Sequence, residues 1–132
     1  MSYSTKFDTH CCRVFPLPRI DMKKTHKEYL TSHRNKNLAI RESLLDEKEG
    51  ADILMIKPGL FYLDIIAEIR KSTNLPIATY NVSGEYAMIH GMIDKGFAEL
   101  DGLVKESLIA LNRAGADLII SYWANQYKKI FK

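Results

Sequence analysis

Only two cysteines occur among the 132 residues, and they are neighbours, Cys11 and Cys12. Adjacent cysteines suit neither a structural disulfide nor a Cys-x-x-Cys metal site, because they lack the loop that lets ligands wrap one ion. His10 beside the pair does not supply that loop. His26, His33 and His90 have no convincing spacing partner, so surface or hydrogen-bonded histidines are the simpler reading. Charge of one sign is also scarce, the net value being +3. Lys and Arg concentrate between Arg13 and Arg41; such a cluster could touch phosphate, but a solvated basic loop is the commoner explanation. No apolar run approaches a membrane span, and no charged-then-apolar leader opens the sequence. The expectation is a reduced, cytoplasmic chain with neither nucleic acid nor membrane as a partner.

What is present is the balance of a soluble globular chain, 46% hydrophobic and 27% charged. Gly50-Ala51-Asp52 and Gly115-Ala116-Asp117 each follow a helix-like stretch and lead into a short apolar run. A repeated helix, turn, strand unit argues a parallel α/β sheet. In the first unit Leu38, Ile40, Leu44 and Leu45 make a broad apolar stripe that Arg41 interrupts, and Gly50 stands where a left-handed residue would end the helix. A second helix is predicted from about 61 to 72, with Tyr62, Ile65, Ile66 and Ile69 on one buried face. A strand is predicted from 75 to 80. Further helices are predicted from near Glu85, carrying Met88, Ile89 and Met92, and from about 101 to 113, carrying Val104, Leu108 and Leu111. The methionines read as core filler. With residues 1 to 4 as a first strand, the count is four strands, each followed by a loop or helix.

Lys57 closes the apolar run Ile53-Leu54-Met55-Ile56 and is followed at once by Pro58-Gly59, so an amine stands where a buried strand ends. Burial in an apolar setting favours a neutral amine, the form that attacks a carbonyl carbon to give a Schiff base. A lysine whose stem packs on the sheet rim while its head reaches water fits the local pattern too. The wider arrangement weighs on the choice. Lys6 is expected just after the first strand, Ser83 just beyond the third, and Tyr122 at the end of the fourth. All four positions then fall toward the carboxyl ends of parallel strands, where β/α barrels build their active sites. Two ammonium groups brought close there disfavour one another's charge, which makes an amine a better nucleophile.

Four stretches carry a resemblance to a known family. They are residues 1 to 7, Met-Ser-Tyr-Ser-Thr-Lys-Phe; residues 49 to 66, with Met55-Ile56-Lys57-Pro58-Gly59 at their centre; Tyr80-Asn81-Val82-Ser83-Gly84-Glu85-Tyr86-Ala87-Met88; and residues 113 to 122, from Arg113-Ala114-Gly115 to Ser121-Tyr122. In type and order they resemble the porphobilinogen synthase family, also called 5-aminolevulinate dehydratase. The resemblance covers residues 1 to 7 and roughly 38 to 132. It implies a (β/α)8 TIM-type barrel, of which this chain looks like the C-terminal half, about four β/α units, since a whole barrel of that kind takes about 250 residues. The expected organisation is one partial-barrel domain over 1–132: strand and lysine at 1–7, a divergent loop region at 8–37, and well-matched β/α units at 38–132.

The resemblance implies that two molecules of 5-aminolevulinate are condensed to porphobilinogen with loss of water, a lyase step of tetrapyrrole and heme biosynthesis. Lys57 looks like the lysine of the principal substrate Schiff base, and Lys6 like the second active-site lysine. Ser83 and Tyr122 match residues that hold a substrate carboxylate, a task that suits two hydroxyl donors. Glu42 resembles a glutamate that in some members helps bind an allosteric magnesium ion; a solvated helical glutamate fits its setting equally. The amino-terminal half is missing, and with it the cysteines that bind zinc in zinc-dependent members.

Between residues 8 and 37 the match lapses. The family's arginine and glutamine contacts to the second substrate are not recovered there; Arg19 is the nearest stand-in for one arginine, and Lys23 or Lys24 for another. A half barrel leaves two unpaired sheet edges and an apolar inner face, so a homo-oligomer or an aggregation-prone chain is expected. Three readings follow: a shortened homologue impaired on its own, a non-catalytic assembly module that docks on a full-length subunit, or an unrelated lysine-dependent aldolase on the same plan.

Overall fold

Four short runs rich in aliphatic and β-branched residues form the strands β1 (Ser2–Lys6), β2 (Leu54–Lys57), β3 (Ile77–Asn81) and β4 (Leu118–Ser121) of a computed structural model that describes residues 1–12 and 30–132. They pair in parallel in the order β1-β2-β3-β4. Parallel neighbours need crossovers, and the chain supplies them as helices: α1 (Lys36–Lys48) before β2, α2 (Leu63–Ser72) before β3, and α3 (Ser83–Asp94) with α4 (Leu100–Ala114) before β4. A short α5 (Tyr127–Ile130) closes the chain onto α4.

The core lies between sheet and helices. Leu54, Ile56 and Ile77 are fully buried against Ala39 of α1, Ile65, Ile66 and Ile69 of α2, and Leu111 of α4. Those isoleucines of α2 are the face that its spacing predicts. Successive strand side chains alternate between faces, so Lys57 of β2, Tyr80 of β3 and Ile120 of β4 stand on the opposite, inner side of the sheet. A second cluster joins Ile89, Val104, Trp123 and Ile130 beyond the strand ends.

Several boundaries differ from the sequence reading, each for a local reason. β1 runs on to Lys6, so the lysine is the strand's last residue rather than one beyond it. β3 begins at Ile77 rather than at 75. Pro76 has no N–H for a ladder, and Leu75 N–H is taken by Thr73 Oγ1 at 3.1 Å. Ile77 N–H instead reaches the Asp117 carboxylate at 2.8 Å, and that carboxylate also accepts from Arg70 at 3.0 Å. The aspartate of the second Gly-Ala-Asp unit thus ties the end of α2 to the start of β3.

The expected apolar stripe of α1 is met in part: Leu38, Ile40 and Leu44 are half-buried, and Ile40 packs against the core. Its buried residues are Ala39 and Ser43, while Leu45 is 47% exposed. Small side chains let α1 approach β1 closely enough for Thr5 Oγ1 to donate to Ala39 O at 3.1 Å and to share a hydrogen bond with Ser43 Oγ at 3.0 Å. Gly50 follows the helix at φ +95°, in the left-handed conformation expected of it. The inner face of the sheet is also less uniformly bare than expected. Met55 and Ala78 are fully buried, while Leu118 and Ile120 of edge strand β4 are 46% and 41% exposed.

Candidate active site at the strand ends

Lys6 and Lys57 are direct register partners across β1 and β2. Both strands end on their lysine, so two lysines pair in register at the carboxyl rim of the sheet. The pairing is held from the other face: Phe7 N–H donates to Lys57 O at 3.0 Å, and the Phe7 ring stacks on Tyr62 at 3.9 Å between centroids. Just past β1, Thr31 N–H donates to Lys6 O at 2.9 Å and Asp8 N–H to Thr31 O at 3.0 Å, which covers the end of that edge.

Tyr80 extends the rim. Its ring lies 4.5 Å from Lys57 Nζ, and its hydroxyl is 3.3 Å from that of Tyr122. Tyr122 does not end β4 as expected; it follows Ser121, the strand's last residue. Its ring lies against Tyr86, 5.3 Å between centroids, on the first turn of α3. Ser83 opens that helix. Lys57 and Tyr122 are therefore joined through Tyr80 and Lys6 to Lys57 by register, while Ser83 shares the first turn of α3 with Tyr86.

Helix α3 starts at Ser83, two residues earlier than its hydrophobic spacing predicts, because Glu85 caps it. The buried Glu85 carboxylate accepts Val82 N–H at 2.8 Å. Burial pushes this carboxyl above its ordinary range, although the Val82 and Leu60 N–H groups and the Asn81 amide pull it the other way. Reading the sequence misses both Tyr80 and Glu85. Tyr80 reads as the end of a strand, and a glutamate three residues into a helix reads as solvated; the usable signal is its spacing from the residue before the helix, the second half of a capping box.

Glu42 stands apart from this rim, exposed on α1. Among the described residues no three His, Cys, Asp or Glu side chains gather to hold a metal ion. Glu42 belongs to no such group, so a magnesium ion there would keep most of its shell as water. Arg19, Lys23 and Lys24 lie outside the described residues. A cleft lies away from the rim, on the outer side of β4, lined by Leu108, Ile109, Ile119, Trp123, Tyr127 and Phe131 among others.

Comparison with known proteins shows the family. The family model for delta-aminolevulinic acid dehydratase matches residues 1–130. The chain belongs to that family. It is 50% identical over 125 residues to the delta-aminolevulinic acid dehydratase of Escherichia coli (strain K12), covering 94% of this chain and 39% of the relative. To the Chlamydia pneumoniae protein of the same name it is 48% identical over 130 residues, covering 94% of this chain and 38% of the relative. The chain thus spans less than two-fifths of the length of these relatives. A crystal structure of delta-aminolevulinic acid dehydratase (porphobilinogen synthase) from Toxoplasma gondii ME49, in complex with the reaction product porphobilinogen, superposes with a TM-score of 0.86 at 36% identity. The match covers 98% of this chain and 38% of that one. The four-stranded parallel sheet with its helices is accordingly part of a TIM barrel, and membership of the dehydratase family replaces the reading as an unrelated aldolase.

Proposed function

We propose that this chain carries the Schiff-base portion of a 5-aminolevulinate dehydratase site. The observation that supports it most is the register pairing of Lys6 with Lys57 at the strand ends. In this reading the Lys57 amine attacks the ketone carbon of 5-aminolevulinate; the carbinolamine then expels water and leaves a protonated imine. Lys6, one strand away, is the second active-site lysine. Ser83 and Tyr122 hold the substrate carboxylate by hydroxyl donation, and the positive end of α3 at Ser83 favours the same negative charge. Condensation of two such substrates with loss of water gives porphobilinogen. Arg19 is kept as the arginine that meets the second substrate, from the divergent 8–37 part of a single partial-barrel domain.

Borohydride reduction in the presence of 5-aminolevulinate tests this. Mass spectrometry is expected to find a reduced substrate adduct on the peptide containing Lys57 and none in Lys57→Ala. An adduct elsewhere, or none at all, would overturn the assignment. Magnesium held through Glu42 would need its remaining ligands from water or another chain. Among the described residues no helix is long and apolar enough to cross a membrane. A second reading has its own support: among the described residues β1 and β4 are the edge strands of the sheet, which fits a non-catalytic module that docks on a full-length subunit, and mixed oligomers in a pull-down with such a subunit would favour it.

A further inference from the structure

A chain of polar groups runs beneath the rim and touches the loops that follow β2, β3 and β4. Trp123 N–H donates to Ser121 Oγ at 3.2 Å, Ser121 Oγ to Asn81 Oδ1 at 3.0 Å, and Asn81 Nδ2 to Glu85 Oε2 at 3.2 Å. Glu85 also accepts Val82 N–H on Oε2 at 2.8 Å and Leu60 N–H on Oε1 at 2.6 Å. Asn81 is 1% exposed and Glu85 0%. A helix cap accounts for the Val82 bond alone. The Leu60 bond crosses to the turn three residues after Lys57, and the Asn81–Ser121 link crosses to the end of β4, one residue before Tyr122. Both carboxylate oxygens meet N–H donors, so position 85 must accept at both ends; a glutamine there would turn its NH2 group toward one of those donors.

We propose that Glu85, Asn81 and Ser121 form the positioning network of the site: Glu85 clamps the turn behind Lys57 to the first turn of α3, and Asn81–Ser121 extends the clamp to the turn that carries Tyr122. This deepens the Schiff-base reading and rests on it. None of the three touches the substrate in that reading. They fix the separation between the imine lysine and the hydroxyls that grip the carboxylate. That separation decides whether a substrate held by its carboxylate presents its ketone to the amine, and misplacement by a fraction of the reacting distance is costly. Buried, mutually connected hydrogen bonds suit the task because exchange with water does not weaken them.

The test uses Glu85→Gln and Ser121→Ala in the full chain. Borohydride trapping at Lys57 is followed against 5-aminolevulinate concentration, and amide hydrogen exchange is followed at Leu60. E85Q is expected to lower the limiting trapping rate by roughly ten- to hundredfold and to speed Leu60 exchange. S121A severs only the link toward Tyr122, so it is expected to keep the limiting rate and to raise the half-saturating concentration severalfold. That split is what general loss of structure does not produce. Folded E85Q that traps like wild type, or protects Leu60 as well, overturns the proposal; if E85Q does not fold, an unchanged half-saturation in S121A overturns it instead. A wild-type chain that gives no adduct defeats the Schiff-base reading, and Leu60 exchange in E85Q then decides the clamp by itself.

Discussion

Tyr80 lies between the two kinds of group that the candidate site needs. Its ring is 4.5 Å from Lys57 Nζ and its hydroxyl 3.3 Å from the Tyr122 hydroxyl. An aromatic face attracts a cation by about 0.5–1 kcal/mol at such partly open sites. The protonated imine proposed at Lys57 is also a cation, so the same ring would accommodate it. Tyr80→Leu is expected to reduce the trapped adduct at Lys57 by roughly two- to fivefold, the rate equivalent of that energy. Tyr80→Phe keeps the ring and is expected to stay within about twofold of wild type on the same argument. Equal losses in the two variants would show that the hydroxyl, rather than the ring, matters. Glu85 supplies a second prediction at this scale. Burial raises its carboxyl above the ordinary value of 4.5, so its contribution to stability is full below that value and is lost as pH rises through the folded-state value. Glu68 has the opposite sign: its hydrogen bond to Lys71 and the charge of Lys36 lower it, so its contribution is lost as pH falls. The denaturation midpoint of wild type relative to E85Q is therefore expected to decline as pH rises above 4.5; a difference that stays constant with pH would refute it. The place of Lys57 at the end of a buried strand was legible in the sequence because an amine after four apolar residues is conspicuous. Glu85 was not, because the bond that buries it reaches 25 residues away to Leu60.

At the scale of elements, what was legible follows from how each helix is packed. Helix α2 buries Ile65, Ile66 and Ile69, and its apolar periodicity announced them. Helix α1 buries an alanine and a serine against a threonine, a contact of small and polar groups that no hydrophobic stripe marks. The turn at His10–Cys12 is another such contact, since it packs on the start of α3. A Cβ built on Gly84 would stand 2.1 Å from Cys11 O, closer than any real contact. The glycine in the Ser-Gly-Glu stretch thus admits the segment that follows Lys6 onto the helix that begins at Ser83. Gly84→Ala is expected to push the 10–12 turn off α3, at about 1–3 kcal/mol as overpacking usually costs. Cys11 is half-buried, and its thiol is expected to alkylate faster in the variant, as read by peptide mapping. Unchanged labelling with unchanged stability would mean that the turn does not rest on α3 in solution.

For the whole molecule the governing fact is that four parallel strands in linear order have two ends. In a closed eight-stranded barrel β1 and β4 would each hydrogen-bond to a further strand. Beyond the Thr31 bridge at Phe7, these edges are what the chain offers to a neighbour. The parallel sheet of four strands was legible because the helix, turn and strand unit repeats, at Gly50-Ala51-Asp52 and again at Gly115-Ala116-Asp117. The burial of Met55 and Ala78 on the inner face was not, since it depends on how neighbouring strands cover one another. At β4 the two sides of the edge are both apolar: Leu118 and Ile120 are exposed on the inner side, and Leu108, Ile109, Tyr127 and Phe131 line the cleft on the outer side. A strand and a helix from another half barrel would cover both at once. An uncovered parallel edge of this kind is a template for association, so light scattering is expected to find dimers or larger species whose fraction grows with concentration. Ile120→Lys places a charge on the inner side of that edge, away from the helix-packed core. It is expected to shift the distribution toward monomer without altering the helical circular dichroism. A wild-type chain that is monomeric at every concentration and melts cooperatively at high temperature would show that the open edges need no partner.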